Sequence, residues 1–300
     1  MGHFQRRGFS SIFVDADSFN QDVSRWTVSR VRSMEQIFAR AISFSGDLSN
    51  WDTSRVTSLR GLFNEAGSFN SPIGQWNVSS VTDLYATFWS AALFNQDLSA
   101  WDTSQVTTMT ETFAEASLFD QTVNDWDTSR VESMFVIFLR AASFNSPLDS
   151  RNTSNVLEMN LTCAAANSSD QPIGSWNVNK VTTTEGMFAF LAFGQDLSLC
   201  NTSSVRDASD MFSVNSRFNQ DLSSWDLRNV EAASFMFSST AAFNSPLWRD
   251  TSSLVLMDRM FAPAKIFNQD VSAWDTSNVA NMSALFAGAT RFNSNLSSWD

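Results

Sequence analysis

The sequence contains few of the side chains that enzymes use. Among its 300 residues there is one histidine, one tyrosine and two cysteines, and only 17% of the residues are charged. Acid–base and Ser-His chemistry need a positioned base, but His3 lies before the regular part of the chain. The GxGxxG, GxxxxGK and HExxH motifs are absent. We therefore expect a protein that is not an enzyme and takes no cofactor.

Long apolar runs and an excess of positive charge are also missing. No stretch approaches the roughly 18 apolar residues that a transmembrane helix needs, and the first residues do not resemble a signal peptide. The net charge is −12, whereas nucleic acids and anionic membranes attract clustered Lys and Arg. We expect no nucleic-acid partner and no membrane insertion of this segment, and instead a protein or cell-surface ligand.

Aromatic residues are abundant, with 27 Phe and 11 Trp, and they recur at a fixed spacing. A Phe, most often followed by Asn, returns every 24 or 25 residues, which indicates about twelve copies of one unit. These anchors are Phe19, Phe44, Phe69, Phe94, Phe119, Phe144, Phe193, Phe218, Phe243, Phe267 and Phe292, with Ser169 in the seventh place.

Each unit repeats the same apolar positions, which we call columns. An aliphatic residue follows the anchor by four positions, and a Trp follows that residue by three. A stripe spaced by three, four and three comes next, as at Val31, Met34, Phe38 and Ala41, and this spacing is typical of a helix. The predicted core residues include Trp26, Trp51, Trp76, Trp101, Trp126, Trp176, Trp225, Trp274, Phe94, Phe113, Val106 and Met109.

A serine before each stripe, such as Ser104, suits a helix N-cap. The pattern predicts a right-handed α/β solenoid resembling leucine-rich repeats, with one short strand and one short helix per 25-residue coil. Residues 1–300 form one array: a partial coil at 1–18, about eleven full coils at 19–291, and a partial coil at 292–300. Neither end shows a polar cap, so we expect a fragment of a longer array.

The segment from Phe267 to Met282 reads FNQDVSAWDTSNVANM. It resembles the repeat of the BspA-like leucine-rich-repeat surface proteins, and the likeness covers nearly the whole chain. The resemblance implies adhesion or protein binding at a cell surface or outside the cell. The pattern is broken in the middle coils, where core columns hold Arg151, Cys163, Ser169 and Cys200.

An acidic column follows the Trp column and allows two interpretations. A stack of carboxylates could bind calcium, but Asn replaces Asp in several coils, and Asx residues commonly close turns. The turn interpretation is favoured, and the calcium ladder stays open as a minor alternative. Its residues would be Asp52, Asp102, Asp127, Asp226 and Asp275.

A threonine column raises ice binding as a further minor alternative. Thr53 and Thr103 belong to it, but other coils hold Val78 or Leu227 there, so we expect a half-buried position. The two cysteines lie in coils that are not adjacent. We expect both to be buried free thiols.

The most plausible function is protein–protein interaction or adhesion through an extended surface, and the alternative is a passive spacer in a surface assembly. Binding surfaces are rich in aromatic and Arg side chains. Outward positions of the extended segment are mainly Ser, Asn, Gln and Asp, which favours the spacer slightly.

Overall fold

The computed structural model describes residues 9–299, so His3 lies outside the described part. Each unit forms one coil, and successive coils are joined by ten isolated parallel bridges. Residues 9–299 contain no α-helix and no β-strand longer than a single bridge residue. The predicted α/β solenoid with a helix and a strand in every coil is therefore wrong. The bridge residues are Ser33, Ser58, Asp83, Thr108, Ser133, Glu158, Thr183, Asp207, Ala232, Leu256 and Asn281.

The segment expected to be helical is a succession of tight turns. In the coil that begins near Leu59, the amide of Leu62 donates to the carbonyl of Leu59 at 3.0 Å, three residues back. An α-helix would instead bond to the fourth residue back and would keep every φ near −60°. Here φ is +58° at Gly61 and +56° at Glu65. Most coils contain two residues with positive φ, four positions apart, and each of them interrupts the helical geometry.

The remaining amides of this turn segment bond to the next coil. Leu59 donates to Asp83 at 3.0 Å, Gly61 donates to Tyr85 at 2.8 Å, and the following coils repeat the pattern. These bonds satisfy backbone groups that would otherwise be buried without partners. We call them the inter-coil ladder. Because each coil uses its neighbour to complete its hydrogen bonds, one coil is not an independent structural unit.

The turns explain why the spacing resembled a helix. They point every third or fourth side chain inward, so that Met34, Phe38 and Ala41 are fully buried. The pattern thus identified the buried side of the segment correctly. It did not distinguish a helix from consecutive turns, because both place side chains on one side with nearly the same period.

Two columns of Phe rings fill the centre of the array. Within a coil, Phe63 stacks on Phe69 with ring centroids 3.6 Å apart, and between coils Phe63 lies 5.8 Å from Phe88. Parallel, offset rings of this kind stabilise the fold beyond the contribution from burying their apolar surface. The buried cluster is continuous from Phe9 to Leu285.

The Trp column adds a polar bond to this core. The indole Nε1 of Trp101 donates to the carbonyl of Ile73 at 3.1 Å, and Trp76 donates in the same way to Leu48 at 3.0 Å. Trp26 in the first described coil is partly buried. The other predicted core residues are buried, namely Trp51, Trp76, Trp101, Trp126, Trp176, Trp225, Trp274, Phe94, Phe113, Val106 and Met109.

Substitutions at Trp101 test the two contributions of this column. Trp101→Phe removes the indole donor and should lower the free energy of unfolding by about 1–2 kcal/mol. Trp101→Ala also removes the ring and should cost about 3–5 kcal/mol. Equilibrium denaturation measures both values. Leu199→Ala is the control, because Leu199 is 84% exposed; equal stabilities of Trp101→Phe and wild type would contradict a stabilising indole bond.

Candidate functional site

The acidic column closes turns, one per coil. The Asp102 carboxylate accepts the amide of Ser104 at 3.1 Å. The same acceptor role is played by Asp52 toward Ser54, Asp127 toward Ser129, Asp226 toward Arg228 and Asp275 toward Ser277. Within residues 9–299, no group of three or more His, Cys, Asp or Glu side chains is arranged to hold a metal ion. The calcium-ladder residues thus lie in separate Asx turns.

The hydrogen bonds of these turns also lower the pKa values of several of the aspartates. The pKa of Asp102 is lowered, chiefly by the hydrogen bonds from Ser104. Asp52 and Asp275 have lowered pKa values for the same reason, and the pKa of Asp226 is lowered first by the Arg228 side chain. The ionised form is favoured in the folded protein.

The threonine column is buried more deeply than predicted. Thr103 is 1% exposed, and its hydroxyl donates to the carbonyl of Asp127 in the next coil at 3.1 Å. Thr53 donates to Asn77 in the same way at 3.0 Å. The column therefore presents no exposed threonine surface of the kind that ice binding would use.

An asparagine ladder runs along another side of the array and was missed in the sequence, although the Phe-Asn dipeptide marks it. The Asn70 side-chain oxygen accepts the amide of Asn95 at 2.9 Å and the amide nitrogen of Gln96 at 3.0 Å. Asn95 in turn accepts the amide of Asp120 at 3.0 Å. The polar groups on this side bond mainly to neighbouring coils.

The outward side of the turn segment is different, because its residues vary from coil to coil. Four positions per coil lie outside the core columns in this segment, and their residue types range from Gly61 to Trp89, while the Trp and turn-closing columns change little. Several of the small residues at these positions, such as Ala39 and Ala114, are themselves buried. We call this surface the variable face. It comprises residues 35, 36, 39 and 40 and their counterparts 60, 61, 64, 65; 85, 86, 89, 90; 110, 111, 114, 115; 135, 136, 139, 140; 160, 161, 164, 165; 185, 186, 189, 190; 209, 210, 213, 214; 234, 235, 238, 239; 258, 259, 262, 263; and 283, 284, 287, 288.

The inter-coil ladder fixes the register of this face. Ala165 donates to Ala189 at 2.8 Å, and Phe190 donates to Ser213 at 2.8 Å. Matching positions in neighbouring coils therefore lie side by side, about 5 Å apart. In four consecutive coils this face carries apolar residues, with the charged residues Arg140, Glu185 and Asp210 at neighbouring positions. We call these apolar residues the apolar patch, which consists of Phe135, Leu139, Leu161, Ala165, Phe190 and Val214.

Two residues of the apolar patch are both exposed and conformationally unfavourable. Phe190 is 58% exposed with φ +60°, and Val214 is 43% exposed with φ +55°. The left-handed conformation costs an L-residue roughly 1–2 kcal/mol and is rare for β-branched side chains. At the equivalent position other coils carry Ser90 or Gly288. Folding therefore does not explain a large apolar side chain at these two positions.

A polar cluster occupies the variable face nearer the N-terminus. The Arg60 guanidinium lies 3.9 Å from the centre of the Tyr85 ring and 3.6 Å from the Asp83 carboxylate. Burial, followed by hydrogen bonding to Glu111, raises the pKa of Tyr85. The face thus combines charged and aromatic groups at one part with apolar groups at another.

Sequence reasoning missed the variable face, because it considered the outward residues of the extended segment. Those positions are dominated by Ser, Asn and Asp and are engaged in turns. A signal was nevertheless present: comparing the coils with one another shows which columns vary. Phe135, Phe190 and Phe235 are aromatic residues outside the regular aromatic columns.

The two cysteines are free, as the sequence predicted, but only Cys163 is buried; Cys200 is half-buried. Cys200 stands in the Trp column, where the smaller side chain borders an apolar cavity of about 30 Å³ next to Trp176 and Trp225. Burial raises the pKa of Cys163 to about 12 and that of Cys200 to about 11. Both side chains are neutral thiols at neutral pH.

Thiol labelling tests this environment. At pH 8 both Cys163 and Cys200 should react far more slowly in the folded protein than in denaturant, because the thiolate is the reactive form. Labelling of Cys200 should speed up as the pH approaches 11, while Cys163 should stay unreactive until unfolding. Quenching the labelling reaction at set times, followed by mass spectrometry, measures the rate at each cysteine. Rapid reaction of either folded thiol at pH 8 would contradict these assignments.

Substitutions of Asp102 test the turn-closing role. Asp102→Asn keeps a side-chain acceptor and should be nearly neutral at pH 7, whereas Asp102→Ala should destabilise the fold. Because the pKa is lowered in the folded state, the wild-type carboxylate stabilises above its unfolded pKa, about 3.9, and loses this contribution as pH falls through the folded value. Asp102→Asn should lack that acid-dependent loss.

Denaturation of the three proteins across this pH range measures the difference. Equal stability of Asp102→Ala and wild type at neutral pH would contradict the turn-closing role. If calcium stabilised the wild type and Asp102→Asn abolished this effect, the result would support calcium binding by the acidic column.

Comparison with known proteins identifies the repeat. A family model described as "Mycoplasma protein of unknown function, DUF285" matches residues 7–100, 71–173, 162–249 and 247–300. No curated protein matches the chain, and no solved structure matches it. In the described residues, no helix is long and apolar enough to cross a membrane. The narrower likeness to the BspA-like proteins stays a prediction.

The four matched segments follow one another with overlaps and together cover nearly all of the chain. They agree with the repeated coils of the structure. The chain therefore belongs to the DUF285 repeat family.

Proposed function

We propose that the chain is a protein-binding scaffold whose variable face contacts a partner, with the apolar patch at the centre of the contact. The observation that carries this proposal is Phe190, a large aromatic side chain that is 58% exposed and held in a left-handed conformation. Exposed aromatic residues are enriched among the side chains that dominate binding energy.

The fold suits such a role because it holds the patch rigidly. Phe190 donates a backbone hydrogen bond to the following coil, and Ala189 accepts one from the preceding coil. A surface that is ordered before binding loses less conformational entropy when the complex forms. Variation from coil to coil then lets one scaffold present a different side chain every few ångströms.

The partner of the apolar patch would offer apolar side chains to Phe190 and Val214. Charged groups around Arg60 and Glu111 would provide orientation at the other part of the face. Adhesion at a cell surface is the setting we propose for this binding, and it rests on the likeness of the repeat to the BspA-like surface proteins. A passive spacer would use none of these exposed side chains.

Site-specific photo-crosslinking in the native cells tests the proposal. A photoreactive phenylalanine analogue at position 190 should yield a discrete protein adduct, while the same analogue at position 199 should not. Leu199 is a matched control, since it is 84% exposed and lies outside the variable face. Adducts of equal yield from both positions, or none from position 190, would favour the spacer and contradict binding through the patch.

The partner identified in this way then allows a quantitative measurement. Phe190→Ser should weaken binding roughly 30-fold, as expected for the loss of about 2 kcal/mol at a central aromatic contact. Leu199→Ser should leave the affinity unchanged. Titration calorimetry measures both, and circular dichroism checks that each variant remains folded. An unchanged affinity of Phe190→Ser would remove the patch from the interface.

A further inference from the structure

The aromatic core is interrupted in two adjacent coils. In a regular coil, Phe113 stacks on Phe119 at 4.0 Å and lies 5.8 Å from Trp126. The corresponding Trp position in the next coil is Arg151, and the two Phe positions in the coil after that are Cys163 and Ser169. Three large apolar side chains are thus replaced by smaller polar ones around the same part of the core.

Arg151 is held inside this gap and is only 6% exposed. Its Nη2 donates to the carbonyl of Val123 at 2.9 Å, replacing the indole bond that Trp126 makes to Leu98. The Nε and Nη1 atoms have no hydrogen-bond partner. Among residues 9–299, no carboxylate forms an ion pair with Arg151. A buried guanidinium with free donors and no counter-charge is strongly unfavourable.

The neighbouring thiol does not supply the missing charge. Burial raises the pKa of Cys163 to about 12 and lowers that of Arg151 to about 10. At neutral pH the guanidinium is therefore positive and the thiol neutral. The Ser169 hydroxyl lies near the Cys163 thiol, and each of the two side chains carries one donor that could turn toward an anion instead.

We propose that Arg151, Cys163 and Ser169 form an internal site for a monoatomic anion of the chloride class. The free Nε–H and Nη1–H point to opposite sides of the guanidinium, so the anion would accept one of them and would neutralise the buried charge of Arg151. Water would satisfy the donors but would leave that charge uncompensated. Larger oxyanions are disfavoured because the site is enclosed: Arg151, Cys163 and Ser169 are 6%, 4% and 5% exposed. This site is independent of the variable face.

Chloride-dependent stability tests the site. Unfolding of the wild-type chain is measured in mixtures of sodium chloride and sodium gluconate at constant ionic strength, since gluconate is too large for the interior. Above the dissociation constant of the anion, each tenfold rise in chloride should lower the unfolding constant tenfold. Arg151→Trp, which restores the regular column residue, should abolish the dependence. Arg130→Gln removes an exposed arginine and should retain it.

Bromide provides a direct readout on the unmodified protein. Crystals grown in sodium bromide should show an anomalous scattering peak within hydrogen-bond distance of either the Nε or the Nη1 atom of Arg151. A water molecule in that place without an anomalous signal, or an unfolding constant that does not respond to chloride at constant ionic strength, would overturn the proposal. The bromide measurement decides the question even if Arg151→Trp does not fold.

Discussion

The inter-coil ladder is the interaction on which the rest of the structure depends. Amides such as those of Leu59 and Gly61 donate to the carbonyls of the following coil, and this sets one register for every column. The Phe rings, the Trp indoles and the side chain of Asn70 then meet their counterparts in adjacent coils. Because no coil satisfies its own backbone, stability belongs to the stack rather than to the unit.

Much of the core could be predicted from the sequence, since identical aromatic residues at a constant interval must pack against one another. Trp101 and Phe113 are buried as the repeat indicated. The Asx turns could also be predicted from the sequence, because Asn and Asp exchange freely in that column. The backbone conformation of the turn segment could not be predicted. Positive φ falls mainly on residues such as Glu65 and Arg140, so no glycine marked these turns in the sequence.

The candidate surface was harder to recognise, for a related physical reason. Side chains in the columns that repeat from coil to coil are fixed by contacts between coils, whereas those on the variable face have fewer such constraints. Repetition therefore draws attention to the scaffold and away from the positions that can differ. Phe190 and Arg151 both depart from what stability alone would select, one by exposure and the other by burial. The proposed binding functions start from those departures.

The most direct test of the account is the far-ultraviolet circular dichroism spectrum of the folded chain. A near-ultraviolet spectrum of the same sample reports on the packing of the aromatic side chains. Tight turns joined by the inter-coil ladder predict a spectrum without the double minimum of an α-helix, together with a strong near-ultraviolet signal from stacked Trp and Phe. A helical double minimum of the size expected for one short helix per coil would contradict the account.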